Sequence, residues 1–416
     1  MFQPLQHKGV ASRHLFACLF AIYTINVFGK VAFSAVTVEL VGLGVMTKTE
    51  AGLVSAAFWL AYALGQFGGG VLANKISPYR LLSITFFGSF LANLLIAFFD
   101  SFLPMLLIWT ANGLIQFGLW PSILRIISNE MLPTHRGKAL GRLGYCYAFG
   151  SILSYLLTSV ILLFLPWQAM FLCCAMVNLA SVPVVWVMKK RYAPLLARAS
   201  GREEPEEIPK QPKGRLTPSV WLGGGVLLFA LMVLIRTVTD GCIKTWLPTI
   251  LSETYGVSSS FTLFLTVVLL AVNVAGVVLC SLLYKKLRRD EAKTVLVMVG
   301  LSLPMTAALL WFERSPLALV VVLMIGITML LYASDQVLTM HYPGQFHSMG
   351  LTASVGGILS GVSAFSGVLS SWGGGFIADH FGWNTLILFW VILLAVFVLI
   401  AAVAVPIWKR FKENNL

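Results

Sequence analysis

Apolar runs of about twenty residues, each broken by a short charged, glycine-bearing or proline-bearing stretch, recur from one end of the chain to the other. A helix that crosses the hydrocarbon core of a bilayer needs about 20 mainly apolar residues. By that measure the sequence predicts twelve spanning helices, over 14–40, 49–73, 79–99, 102–128, 138–164, 167–188, 218–251, 260–284, 292–312, 316–340, 350–378 and 383–408. The one long hydrophilic stretch lies after the sixth of these. It carries Pro194, Pro205, Pro209 and Pro212 and the acidic run Glu203–Glu207, so it reads as a linker without an apolar period. The expected organisation is therefore an all-α membrane protein in two six-helix halves, 1–188 and 218–416, joined by the linker 189–217.

Composition removes the soluble alternatives. Of the 416 residues 58% are hydrophobic and 11% charged, whereas a soluble domain carries about 25% charged residues. The net charge of +13 would suggest nucleic acid in a soluble protein. Here its distribution follows membrane topology instead. Basic residues cluster at Lys8–Arg13, Lys75–Arg80, Arg136–Arg142, Lys189–Arg215, Lys285–Lys293 and Lys409–Lys412, all on one side of a twelve-helix path, while the opposite loops hold Lys48 and Arg314. Basic loops face the cytoplasm, which places both termini and the linker there, in an inner membrane of bacterial type. No cleavable signal is visible after the polar start Met1–His14. The six cysteines (18, 146, 173, 174, 242 and 280) lie in apolar segments without a CxxC, which is a packing pattern.

The two halves repeat weakly. Lys75 and Lys285 are 210 residues apart, and Trp167 and Trp383, opening the sixth and twelfth helices, are 216 apart. Parallel repeats of this kind place a substrate site near the midplane of the membrane. An ionisable side chain within a spanning helix is costly and faces a cavity or a partner. Four stand out: Lys30 in helix 1, Arg236 and Asp240 in helix 7, and Asp335 in helix 10. Lys30 either coordinates an anion or pairs with an acid on another helix. Arg236, 206 residues further on, either completes an anion clamp with Lys30 or pairs locally with Asp240 at i+4. Asp240 and Asp335 are the candidates for proton coupling or ion pairing, with Lys30 one conceivable partner of Asp335. Lys244 extends the 236–240–244 stripe toward the mouth of helix 7.

Helix 4 is the densest polar constellation, with Asn112, Gln116, Trp120, Pro121 and Arg125. Asn112 and Gln116, at i and i+4, either offer amides to a ligand or form a packing face, and Pro121 is expected to bend the helix. Arg125 reads as structural, close to Glu130. Tyr147, Trp120 and Trp246 are candidate cavity aromatics or ordinary core. Gly68–Gly70 and Gly373–Gly375 follow no strand and read as packing notches; the histidines show no metal spacing.

Twelve helices divided by a charged linker resemble the major facilitator superfamily, and GlyValLeuAlaAsnLysIleSerProTyrArg (70–80) is similar to its signature between helices 2 and 3, with Asn74 where an aspartate is usual. Three stretches resemble the organophosphate:phosphate antiporters within it: 30–35, 112–125 with 135–137, and 235–251. The resemblance implies that Lys30 stands at that family's phosphate-binding arginine. It also implies that the helix 7 cation is displaced one turn, with Asp240 in the nearer place, and that the helix 2 lysine is replaced at or near Gln66. The expected function is a secondary active transporter, of antiporter type by resemblance, for a small anionic organic solute such as an organophosphate or carboxylate. Lys30, Arg236, Asn112, Gln116, Tyr147 and Trp120 are its expected substrate-binding residues. The expected partners are that solute and the lipid bilayer, without nucleic acid, metal or cofactor, and a monomer suffices. No nucleophile, base or metal set points to an enzyme. A proton-coupled carrier of a neutral or cationic solute stays open as an alternative, as does a transporter-like membrane sensor.

Overall fold

The computed structural model describes residues 3–131, 135, 139, 142–143, 145–192, 219–346, 348–349 and 351–415; the side chains of 3–9, 66–75, 128–129, 219, 353 and 415 lie outside that description. The linker residues 193–217 and the side chains of Gln66 and Asn74, with the surroundings of Gly68–Gly70, are therefore outside the described set.

The first six spans are α1 Gln3–Gly42, α2 Lys48–Lys75, α3 Pro78–Ile96, α4, α5 Tyr145–Phe164 and α6 Gln168–Arg191. α4 runs Phe102–Ile115, tightens into a 3-10 turn at Gln116–Gly118 and resumes as Leu119–Glu130. The next spans are α7 Val226–Tyr255, α8 Ser259–Lys286, α9 Glu291–Ala308 and α10 Leu317–Gln336. The final pair shares one helical trace: α11 begins as Thr352–Val368, widens into a π turn at Leu369–Gly373 and continues to residue 381, and α12 covers 383–415. Gly382 breaks that trace with φ 80° and ψ 171°. Residues Ser354–Asn414 are 61 in number. At about 1.5 Å per residue such a stretch is roughly three times longer than the hydrocarbon core, so it holds two spans and not one.

Several boundaries differ from the sequence expectation, each for a local reason. α1 begins at Gln3 instead of 14, because the polar start contains no helix breaker beyond Pro4, which sits in the first turn where a missing N–H costs little. α7 begins at Val226 instead of 218: Gly225 adopts φ 70°, the left-handed region open to glycine, and separates a π turn at Ser219–Gly223 from the span. α4 is interrupted just before Pro121, whose ring nitrogen cannot donate back to residue 117. α10 widens into a π turn at Val337–His341 immediately before Pro343, which relieves the clash of a proline ring with the preceding turn.

By packing, the chain divides into two compact units: Met1–Val45 with Ala57–Pro209, and Met46–Ala56 with Lys210–Leu416. In the first unit α3 packs along α6, α1 along α5 and α6, and α4 along α3. Leu15, Leu19, Leu82, Phe86, Ile123, Ile126 and Met188 are among its buried core. Gly113 of α4 lies directly against the Phe58 carbonyl of α2, a spacing that admits no Cβ. In the second unit α7 packs on α11 and α12, α8 on α10, and α9 on α10 and α12. The opening turns of α2 belong here: Lys48 Nζ meets Glu253 at 2.9 Å and Thr49 Oγ1 donates to Asp379 at 2.7 Å. Large side chains such as Phe98, Leu107, Phe164, Val278 and Leu399 stay exposed, as expected where lipid and not water is the neighbour.

Candidate substrate site

In the first unit, every position from Asn26 to Phe33 on α1 is buried, and Lys30 is 6% exposed. A cation so placed would normally meet a carboxylate. Among the described residues none lies within ion-pair distance of Lys30; its ammonium sits 4.2 Å from the ring centroid of Tyr62 on α2. Tyr62 stacks on Phe58, and Phe58 on Trp109, which packs against Phe33 and Phe171. The ring that holds the ammonium is thus itself fixed by an aromatic row through α1, α2, α4 and α6. Two turns before Lys30 on α1, Tyr23 lies against Trp120 with ring centroids 5.5 Å apart, and Tyr62 and Tyr147 are its electrostatic neighbours. Tyr147 on α5 is half-exposed.

The helix 4 amides point another way. Gln116 accepts a hydrogen bond from Asn26 Nδ2 of α1 and donates to Ser89 Oγ of α3 at 2.8 Å; Ser89 in turn donates to Asn112 Oδ1 at 3.0 Å. Both amides are buried and knit α1, α3 and α4 together. Arg125 Nη1 donates to the Ile76 carbonyl at 3.0 Å and secures the turn between α2 and α3, while Glu130 accepts from Tyr79.

In the second unit Arg236 is also buried, and its guanidinium is occupied on three sides. Nε donates to the Leu331 carbonyl at 2.9 Å, Nη2 to Asp240 Oδ2 at 3.1 Å and Nη1 to Asp335 Oδ1 at 3.1 Å. A longer contact joins Nη1 to Thr237 Oγ1 at 3.4 Å. Lys244 Nζ lies 2.6 Å from the same Asp240 oxygen and over the Tyr332 ring at 5.0 Å. Two cations and two carboxylates thus form a neutral quartet on α7 and α10. The described ion partner of Asp335 is Arg236, so the conceived pairing with Lys30 gives way to a pairing between α7 and α10. Lys244 likewise belongs to the quartet and not to the mouth of the helix alone.

A model described as the Major Facilitator Superfamily matches residues 15–364. The chain belongs to the major facilitator superfamily. It is similar to the membrane sensor protein UhpC of Escherichia coli, 22% identical over 255 residues, a match covering 59% of this chain and 58% of that protein. The chain thus spans less than two thirds of the sensor proteins it matches. It is also 26% identical to the glycerol-3-phosphate transporter of Bacillus subtilis over 364 residues, covering 81% of this chain and 80% of that one. Among solved structures, a bacterial homolog of the human lysosomal transporter Spinster, inward-facing and occupied, matches with TM-score 0.82 at 14% identity over 97% of this chain and 99% of that one. At that identity the likeness is one of fold.

As a major facilitator superfamily member, this protein is an integral multi-pass membrane protein, and its relatives include a membrane sensor, a glycerol-3-phosphate transporter and sugar phosphate exchangers, of organophosphate:phosphate antiporter type. Within it the cations divide by circumstance: among the described residues Lys30 meets the Tyr62 ring and no carboxylate, whereas Arg236 and Lys244 are paired with Asp240 and Asp335. Tyr62 escaped the sequence reading, although Phe58, Trp59 and Tyr62 form an aromatic stripe at helical spacing on α2 that marks one face of that helix.

Proposed function

We propose that this protein is a secondary carrier that moves a small organic anion, of organophosphate or carboxylate type, by alternating access. The observation that supports it most directly is Lys30: a buried ammonium lacking a carboxylate among the described residues, steadied by Tyr62. Such a charge is complemented when an anion arrives, and a charge-assisted hydrogen bond to it is worth roughly 1.5–3 kcal/mol. Tyr23, Trp120 and Tyr147 supply the aromatic and hydroxyl surroundings, while Asn112 and Gln116 brace the helices behind them. Residues 1–188 and 218–416 act as the two halves of the carrier, joined by a cytoplasmic linker over 189–217, with both termini cytoplasmic in a bacterial inner membrane.

Uptake of radiolabelled glycerol 3-phosphate, glycerate and, as a neutral control, glycerol into proteoliposomes tests this. Accumulation of at least one anion, lost in Lys30→Ala, is the expected result. A second reading, a membrane sensor that binds the anion without carrying it, is favoured by the similarity to UhpC. Saturable anion binding with no uptake would select it.

A further inference from the structure

The quartet on α7 and α10 is asymmetric, and that asymmetry singles out one carboxylate. Asp240 accepts from both Arg236 and Lys244 through the same oxygen, and its side chain is 8% exposed. Among the described residues Asp335 has one direct cation, Arg236 Nη1, and its side chain is 23% exposed. Arg236 itself is closed on its other edges by the Leu331 carbonyl and by Asp240. An anion approaching Arg236 therefore meets Asp335 in the place it would need to occupy.

From this geometry we infer that Asp335 is a proton-carrying counter-ion of Arg236, which admits a solute anion to the second unit only together with one proton. The inference rests on the anion-carrier reading and names its coupling ion. One proton from the aqueous phase binds an Asp335 carboxylate oxygen, and the Arg236–Asp335 ion pair gives way. The anion then accepts the vacated Nη1–H bonds, so that the quartet plus anion plus proton is again neutral. Release reverses each event. An anion entering without the proton would leave two carboxylates and a third negative charge around two cations in a poorly solvated site, which is unfavourable. Asp240 is bound by both Arg236 and Lys244 and is the more buried of the two carboxylates, so the proton role falls to Asp335.

The titratable and charged groups around Asp335 are few. Arg236, Asp240 and Lys244 face it from α7, and Tyr332 lies one turn back on α10. α8 and α9 also pack on α10, and their described titratable groups are Cys280, Tyr284, Lys285, Lys286, Glu291 and Lys293. Of these, Tyr284 donates to Glu291 and stacks on His341, and Lys293 pairs with Asp290. None of them is a hydrogen-bond or ion partner of Asp335.

The test uses full-length protein in proteoliposomes with pyranine trapped inside, and glycerate or glycerol 3-phosphate added outside. Wild type should acidify the lumen as the probe enters, and its apparent affinity for glycerate, whose own charge is constant near neutral pH, should weaken as pH rises, the limit for one proton taken up with each anion being about tenfold per unit. Asp335→Asn imitates the protonated acid. It should bind glycerate with less than a twofold change between pH 6 and 8 and exchange it across the membrane, with the proton signal gone. Asp335→Glu, which keeps the titrating group, should restore that signal. Equal pyranine responses in wild type and Asp335→Asn, or probe uptake by wild type without any proton, would overturn the coupling and leave the carrier reading standing. Failure of wild type to bind or carry either probe would overturn both.

Discussion

Replacing Lys30 with methionine should make the unliganded protein more stable while it destroys anion binding. Taking an ammonium out of water costs several kcal/mol. The compensation at Lys30 among the described residues is the Tyr62 ring at 4.2 Å, and a desolvated contact of that kind returns about 2 kcal/mol. Methionine keeps an unbranched stem and removes the charge, which leaves a net gain of about 2 kcal/mol. For domains of about 150–250 residues that is a rise in Tm of about 4–8 °C. Arg236→Met should do the opposite. It strips Asp240 and Asp335 of a shared cation in a buried site, a loss of about 3–5 kcal/mol. Tryptophan fluorescence on heating reads both, since the chain carries 12 tryptophans. A lower Tm for Lys30→Met, or a higher one for Arg236→Met, would refute the distinction between an unpaired and a paired cation.

Other outcomes follow from the same geometry. Lys30→Arg should retain most anion binding, because the charge survives, whereas Lys30→Ala should lose about one to two decades in a direct binding titration. Gln116→Leu leaves the Asn26 amide and Ser89 hydroxyl short of a partner, so thermal unfolding should show a loss of about 1–3 kcal/mol for each, with the order of preferred solutes unchanged. Gly113→Ala forces a methyl against the Phe58 carbonyl, and overpacking of this kind should lower stability by about 1–3 kcal/mol in the same assay. A reporter enzyme fused after Gly201 should be active in its cytoplasmic form; activity outside the cell alone would reverse the topology.

The spans were legible because length and apolarity are counted along the chain, and a bilayer reads the same quantities. The interruptions were less so. Pro121 announces a disturbance in α4, but nothing near Leu369 announces the π turn of α11. The chemistry divided in the same way. Lys30, Arg236, Asp240 and Asp335 stand out because charge within an apolar run is conspicuous, and the Arg236–Asp240 contact could be read from its i, i+4 spacing. The Arg236–Asp335 contact joins residues 99 positions apart, a separation that no periodicity encodes. Asn112 and Gln116 illustrate the converse limit: spacing says that the two amides share a face but not what that face meets, and it meets Ser89 and Asn26.

The turn at Gly382 has a consequence for how the chain can be altered and how it sits in a membrane. One residue with φ 80° is all that separates α11 from α12, and any side chain there would meet the steric barrier that glycine escapes. The two helices therefore have no slack between them. A tag or added residue at this point must unwind helix on one side or the other, whereas long insertions into slack surface connections cost little closure entropy. In the bilayer the same tightness couples the two helices: a change in the tilt or depth of one is passed directly to the other, because no slack segment lies between them to absorb it.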